Sequence, residues 1–308
     1  MTRTEEFLEL RSLLFAIAYR LLGSVSEAED AVQEAWLRYE GSATRPESPK
    51  AFLSTTVTRI SIDVLRSARV RREAYVGPWF PEPLLSDPYQ DPERSAELAD
   101  SVSMAALILL ERLSPLERAV FVLREVFAFS YREIASTVER SEAACRQLAV
   151  QARRHMDANR PRFEADRRSR DKLAGRFFEA LREGDVEGLR ELLAADVQLV
   201  NDGGGEIGST LPVIGAANVS RVLSVTIPPF AEIGAELEAH EVNGQPGAII
   251  RDRDGRVVTA WTLDIADGRI RTIRSIVNPD KLGHLGPVAD AHAIIREKKR
   301  ARRGRQTP

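Results

Sequence analysis

The 308-residue chain reads as a multidomain protein, with two all-α domains followed by one α+β domain. Three observations predict this. Apolar residues recur at helical spacing through residues 5–72 and again through 96–156. Between these blocks, YVGPWFPEPLLSDPYQDPE at 75–93 carries five of the sixteen prolines. Beyond Arg170, two helical segments give way to short β-branched runs bounded by Asp-Gly turns.

The first helix spans residues 5–22, with Leu10, Leu13, Leu14, Ile17 and Leu21 inward and Gly23 at its end. Ser26-Glu27-Ala28-Glu29 reads as a capping box that opens a second helix to about Tyr39. Ala28, Val32, Ala35, Trp36 and Tyr39 form its inner face, and Glu27, Asp30, Gln33, Glu34 and Arg38 its outer one. A polar loop at 41–47 precedes a third helix with Pro49 in its first turn. Leu53, Val57, Ile60 and Val64 are expected inward, with Arg59, Asp63 and Arg66 outward. Residues 1–73 make the first domain.

Proline restricts the chain and removes amide donors, so 74–95 is an extended linker. Tyr75, Trp79 and Phe80 on a stiff segment point to docking rather than spacing. A helix from about Pro92 to Arg112 leads into LSPLERAVFVLREVFAFSYREIASTVERSEAACRQLAVQARRHM, the core of a domain at 96–165. Leu116, Val120, Leu123 and Phe127 face one way; Tyr131–Val138 is a short helix, Glu139 and Arg140 a turn, and Ser141 an N-cap. On the last helix Cys145, Ala149, Ala152 and Met156 line one side, and Glu142, Arg146, Val150 and Arg153 the other. That is the layout of a helix-turn-helix with a major-groove helix; an ordinary three-helix core with a basic solvated face fits the same residues.

In the third domain, at 170–285, helices at 171–183 and 186–194 precede a strand at 197–201 and Asp202-Gly203-Gly204-Gly205. A helix at 216–225 follows, then strands at 236–242, 248–252, 256–265 and 269–277. Arg253-Asp254-Gly255 and Ala266-Asp267-Gly268 supply hairpin turns. Helices first and an antiparallel sheet after describe a curved sheet able to wrap a cavity. Residues 286–308 are a basic tail, able to touch DNA or to act as a solubilising end.

The net charge of −2 argues neither for nor against nucleic acid. Its distribution is uneven: Arg59, Arg66, Arg69, Arg71 and Arg72 face only Asp63 between residues 59 and 72. A single cysteine, Cys145, excludes an internal disulfide and a cysteine metal cluster, and its apolar setting suggests a small core residue. No apolar run is long enough to span a bilayer and the N-terminus is no signal peptide, so a cytoplasmic protein is expected.

Several passages together resemble an extracytoplasmic-function (ECF) sigma factor of the sigma-70 family. SVSEAEDAVQEAWLRY is similar to the polymerase-binding helix of region 2, and SPKAFLSTTVTRISIDVLRSARVRRE to the helix that recognises the −10 element. LSPLERAVFVLREVFAFSYREIA with SEAACRQLAVQARR resembles region 4, which reads the −35 element. YVGPWFPEPL, NDGGG and NPDKL resemble motifs of the subgroup with a SnoaL-like C-terminal extension, which includes the actinobacterial sigma factor J type. The resemblance implies an NTF2-like fold for residues 171–285. It also implies core RNA polymerase and promoter DNA as partners.

On that basis Glu27, Asp30, Gln33 and Glu34 are the expected polymerase contacts. Arg59, Arg66, Arg69, Arg71 and Arg72 are expected on DNA at −10, mainly on phosphates. For −35, Arg146 and Gln147 could read bases, with Glu142 beside them and Arg140, Arg153 and Arg154 on phosphates. Leu148 stands where many relatives carry arginine. Tyr75, Gly77, Pro78, Trp79 and Pro81 are expected to meet Asp202, Gly203, Gly204 and Gly205, tying the third domain to the linker. Asp202, His240 and Asp264 have no spacing that marks a catalytic set, and His240 reads as structural. The expectation is a regulatory module with no cofactor, no metal and no catalysis, open to a small-molecule ligand and with no obligatory anti-sigma factor evident. Two other readings stand beside it: a ligand-responsive helix-turn-helix regulator, and a SnoaL-type enzyme fused to a DNA-binding module.

Overall fold

The computed structural model describes residues 2–73, 75–89, 91, 95–158, 166–205, 211–227 and 234–290, with the side chains of 68–73, 95–97 and 99 outside the description. The basic residues Arg296–Arg305 also lie outside the described residues. The chain divides into two units: Met1–Ala74 with Ser86–Pro161, and Tyr75–Leu85 with Arg162–Pro308. Of the linker expected at 74–95, the aromatic part Tyr75–Leu85 therefore belongs to the C-terminal unit, in keeping with docking rather than spacing.

In the first unit α1 (Arg3–Leu22) starts at a Thr2–Glu5 capping box and stops at Gly23, whose φ of 67° suits glycine. Next, α2 (Val25–Glu40) is capped by Ser24, which accepts from the Glu27 amide, and not by Ser26 as expected. Leaving the left-handed glycine, the chain is already extended at Ser24 (φ −129°, ψ 129°), so the cap falls there. Helix α3 (Pro49–Glu73) buries Leu53, Val57, Ile62 and Leu65. Ile60 and Val64, expected inward, are half-buried, while Ser54, Thr58 and Ser61 lie inside. Thr58 and Ser61 donate their hydroxyls to carbonyls four residues back, which makes their burial tolerable.

The single helix expected over 92–112 is two: α4 (Ser95–Val102) and α5 (Met104–Leu110), broken at Ser103, which caps α5; Pro92 lies outside the described residues. Then come α6 (Pro115–Phe121) behind a Ser114–Glu117 capping box, a π-helical turn (Val122–Val126), α7 (Tyr131–Val138) and α8 (Glu142–Asp157). Helix α3 packs on α1 and α2 and on α6 and α7, so one unit holds both helical blocks.

Two buried arginines join those blocks. Arg20 donates to Ala16 O, Leu98 O, Ser101 Oγ and Asp87, the last at 2.6 Å, and lies over the Phe127 ring. Arg118 donates to Leu21 O and Glu111, both at 2.7 Å.

The second unit has α9 (Arg167–Glu183), α10 (Val186–Leu192), β1 (Leu193–Asp202), β2 (Val213–Ile214), α11 (Ala216–Thr226), β3 (Glu236–Val242), β4 (Gln245–Arg251), β5 (Val257–Ala266) and β6 (Arg269–Ile276). The sheet order is β2-β1-β6-β5-β4-β3, antiparallel except for the β1–β6 pair. Phe177, Phe178, Leu181, Leu189, Val219 and Leu223 from the helices pack with Leu199, Trp261, Leu263 and Ile273 of the sheet.

Helix α10 ends two residues earlier than expected, and β1 starts four earlier with an irregular register between Leu193 and Gln198. β2 was not foreseen, because two residues show no periodicity. The Asp267-Gly268 turn is as expected, both residues having positive φ (54° and 65°).

Candidate functional site

At the end of β1 the buried Asp202 faces away from solvent, and every oxygen has a partner. Its backbone carbonyl accepts from the amides of Val277 and Asn278 at 2.9 and 3.0 Å, fixing the end of β1 to the segment after β6. Carboxylate Oδ2 accepts from the Phe80 amide at 2.7 Å and from Lys281 Nζ at 2.6 Å. Oδ1 accepts from the Tyr75 hydroxyl and the Gly204 amide.

Lys281, on a 3-10 turn that Asn278 caps, also donates to Phe80 O at 2.6 Å. Its ammonium lies 4.1 Å from the Trp79 ring centre and 4.8 Å from that of Tyr75. Asn278 Nδ2 donates to the Tyr75 hydroxyl. A buried Asp–Lys pair is tolerable only when the remaining donors and acceptors are met, as they are here. Burial, and then the bond to Asp202, hold the Tyr75 phenol above its ordinary range.

The rest of the linker is held by the same unit. Leu84 exchanges two bonds with Asn243: Leu84 N to Asn243 Oδ1 at 3.0 Å, and Asn243 N to Leu84 O at 2.7 Å. Pro83 O accepts from His284 at 2.6 Å, whose other nitrogen is 3.7 Å from the buried Glu82 carboxylate. Phe80, Pro81, Glu82, Pro83 and Leu84 are all buried. Residues 75–84 thus form a strap clasped by Asp202, Lys281, Asn278, Asn243 and His284.

The glycines act by proximity. A Cβ on Gly205 (φ 81°) would lie 2.8 Å from Val76 Cβ, and one on Gly204 (φ 67°) 3.2 Å from Asn278 Nδ2. Trp79 lies against Lys281, while its neighbours Tyr75, Val76 and Phe80 meet Asp202 and Gly205, as expected of the linker around Trp79. Gly77 supplies a turn at φ 92°. Pro78 is half-buried, and Gly203 sits between Asp202 and the close-packed Gly204.

Sequence reasoning did not single out Lys281, Asn278, Asn243, Glu82 or His284 as site residues. Asn243 had a local signal, the Asn-Gly turn between β3 and β4, with φ of 53° and 67°, and Glu82, Asn278 and Lys281 lay within the passages YVGPWFPEPL and NPDKL.

The three carboxylate and imidazole candidates do not converge. Asp202 is committed to the strap, Asp264 pairs with Arg274 at 2.6 Å, and His240 lies 3.3 Å from Glu238. Among the described residues no group of three His, Cys, Asp or Glu could hold a metal ion.

On the helix-turn-helix, Ser130 and Glu133 form a capping box that starts α7 and holds the Glu133 carboxyl below its usual range. Cys145 is buried, and burial followed by the Glu142 charge pushes its thiol up, as befits a core residue. Arg146 pairs with Glu142 at 2.7 Å and lies over the Tyr131 ring; Arg153 pairs with Glu125 at 2.6 Å. Arg140 donates to Glu139 O, while Gln147 and Arg154 are exposed.

On α2, Asp30 and Gln33 are exposed, and Glu27 and Glu34 half-exposed, beside the 53 % exposed Leu37. Arg66 is exposed near Asp63, and the side chains of Arg69, Arg71 and Arg72 lie outside the described residues.

Arg59 departs from the expected open face. It donates to Thr137 O at 2.9 Å and Ser136 O at 2.8 Å, capping the C-terminus of α7, and lies 3.2 Å from Glu139. The hydroxyls of Thr55 and Thr137 are 3.0 Å apart beside it.

Three families match the chain: Sigma-70 region 2 at residues 7–71, Sigma-70, region 4 at 104–156, and a SnoaL-like domain at 174–277. The ECF RNA polymerase sigma factor SigJ of Mycobacterium tuberculosis is 36% identical over 287 residues, which cover 90% of this chain and 92% of SigJ. The chain belongs to the ECF RNA polymerase sigma factors.

A second relative of the same species, a probable ECF sigma factor SigI, is 32% identical over 278 residues, covering 89% of this chain and 93% of SigI. The crystal structure of M. tuberculosis SigJ matches with a TM-score of 0.70 at 33% identity, covering 91% of this chain and 98% of that one. In this sigma factor region 2 is α1–α3 and region 4 is α5–α8, while α9 through β6 make the SnoaL-like domain. The strap at 75–84 and the loop bearing Asn278, Lys281 and His284 both fall outside the three matched stretches.

Proposed function

We propose that this alternative sigma factor directs core RNA polymerase to its promoters through two reading heads, and that its SnoaL-like domain modulates them by holding the strap between them. The observation that carries this is the strap itself, ten residues between region 2 and region 4 clasped by a buried Asp202–Lys281 pair. Whatever shifts that clasp shifts the tether that sets how far apart the two regions can reach. Promoter elements must be engaged together, so tether geometry governs the effective concentration of the second contact.

The exposed side of α2 with Asp30, Gln33 and Glu34 is the surface we assign to core polymerase. Arg66, Arg69, Arg71 and Arg72 are assigned to −10 DNA, joined by Arg59 once it leaves α7. The SnoaL-like domain acts without catalysis in this reading, since its Asp202, Asp264 and His240 each have another structural partner. A cytoplasmic location follows from work on polymerase, and no described helix is long and apolar enough to cross a membrane.

Run-off transcription with purified core polymerase tests the proposal, comparing the full chain with truncations after residues 165 and 285. The full chain is expected to give discrete promoter-dependent transcripts. Truncation after 165 should reduce or broaden promoter use, and truncation after 285 should retain it. No promoter-dependent transcript from the full chain across a promoter library would overturn the sigma-factor function; identical output from all three would overturn the regulatory role.

A further inference from the structure

Helix α8 buries Cys145, Ala149 and Ala152, so the opposite side must face whatever the helix reads. At 100° per residue that side is centred on Ala143, Gln147, Val150 and Arg154, with Arg146 and Gln151 at its margins. Ala143, Gln147, Val150, Gln151 and Arg154 are all exposed, and Val150 retains 44% of its surface. Two charged side chains beside this strip are turned aside. Arg146 is drawn back by Glu142 and by the Tyr131 ring, and Arg153 by Glu125. What remains at the centre is the Gln147 amide with the apolar Ala143 and Val150, and Arg154 at the C-terminal end of the helix.

We propose that Val150 is a base-reading residue, seating a thymine methyl in the major groove of the −35 element, and that Gln147 takes the neighbouring adenine. This inference rests on the sigma-factor reading above. A glutamine amide matches the N6 donor and N7 acceptor of adenine, and an apolar side chain matches the thymine C5 methyl. Three residues of helix rise about 4.5 Å, against roughly 3.4 Å per base step, so Gln147 and Val150 address adjacent pairs. Arg146 is a positioning residue here, its guanidinium kept at the edge of the strip for phosphate.

The test is transcription by the reconstituted holoenzyme from a library randomised across the −35 element, with the templates of the transcripts sequenced. Wild type should select A·T pairs at two adjacent positions. V150A should lose the preference at one of them by about four-fold, the factor expected for one methyl-sized apolar contact. Q147A should lose it at the neighbouring position, and R154A should lower all templates evenly. V150T, which keeps a methyl group, should retain the preference that V150S loses. Replacing the selected thymine with deoxyuridine should weaken wild type and leave V150A unaffected.

A V150A profile identical to wild type at every position, or lowered evenly at all of them, overturns the proposal. A wild-type holoenzyme that selects no sequence at all overturns the sigma-factor reading beneath it as well.

Discussion

Asp202 and Lys281 are acid and base with almost no surface left, and the structure has placed both against linker backbone. Removing one charge leaves the other buried and unpaired. Asp202→Asn is therefore expected to destabilise the C-terminal unit by about 3–5 kcal/mol, read by chemical denaturation. A cost below roughly 1 kcal/mol, the range of exposed pairs, would show that the pair is hydrated and not the anchor described.

Tyr75 adds a pH window. Its phenol is raised above the ordinary value of 10.0, so its contribution is complete below that pH and is lost as pH rises through the folded value. The stability gap between wild type and Tyr75→Phe should stay flat through neutral pH and shrink only in alkali. A gap that changes between about pH 6 and 8, far below the ordinary tyrosine range, would contradict this. At this scale Asp202 and the glycines after it were legible, because Gly-Gly-Gly marks backbone of special shape. Lys281 stood within the NPDKL passage, but its role was not legible, since its type alone does not distinguish a lysine buried under Trp79 from one in water.

Among the elements, strand and helix periods were legible where they were long, and α7, α8, β3 and β6 fall within a residue of expectation. Errors sat where one short element or cap competes with another. Ser24 and Ser26 both precede α2, and only the three-dimensional exit from Gly23 decides between them. Ser24→Ala should cost about 0.5–2 kcal/mol and Ser26→Ala distinctly less in thermal melts. The reverse order would return the cap to Ser26.

The Asp202–Gly205 turn makes a sharper claim. Gly205→Ala needs a positive φ and forces a methyl against Val76, so it should loosen the strap; adding Val76→Gly should restore part of the loss. Limited proteolysis between residues 75 and 84 reads this directly. Equal cleavage of the single and double variants would show that strain at φ 81°, not the contact, dominates.

For the whole molecule, domain count and order were legible from proline content and a change of period. That the linker meets the third domain was legible from its aromatics and the glycines after Asp202; which side chains clasp it was not, because that depends on bonds between residues some two hundred positions apart. The same holds for Arg59: composition put it with the DNA-facing arginines, whereas the fold puts it on the carbonyls of α7. Arg59 cannot cap α7 and bind phosphate at once. Glu139→Gln, which removes its competing acid, should raise DNA affinity by at most about five-fold, since exposed pairs are worth roughly 0–1 kcal/mol. Arg59→Ala should reduce the slope of log affinity against log salt by about one. An unchanged slope would show that Arg59 stays on α7 when DNA is bound.

The measurement closest to the central claim is run-off transcription from a defined promoter set with core polymerase and the full chain, comparing wild type with Asp202→Asn and Trp79→Ala at a temperature where all three are folded. The account predicts that both variants change which promoters are used, or cut their yield several-fold, while core polymerase binding is retained. Promoter choice and yield identical to wild type in both variants would contradict it.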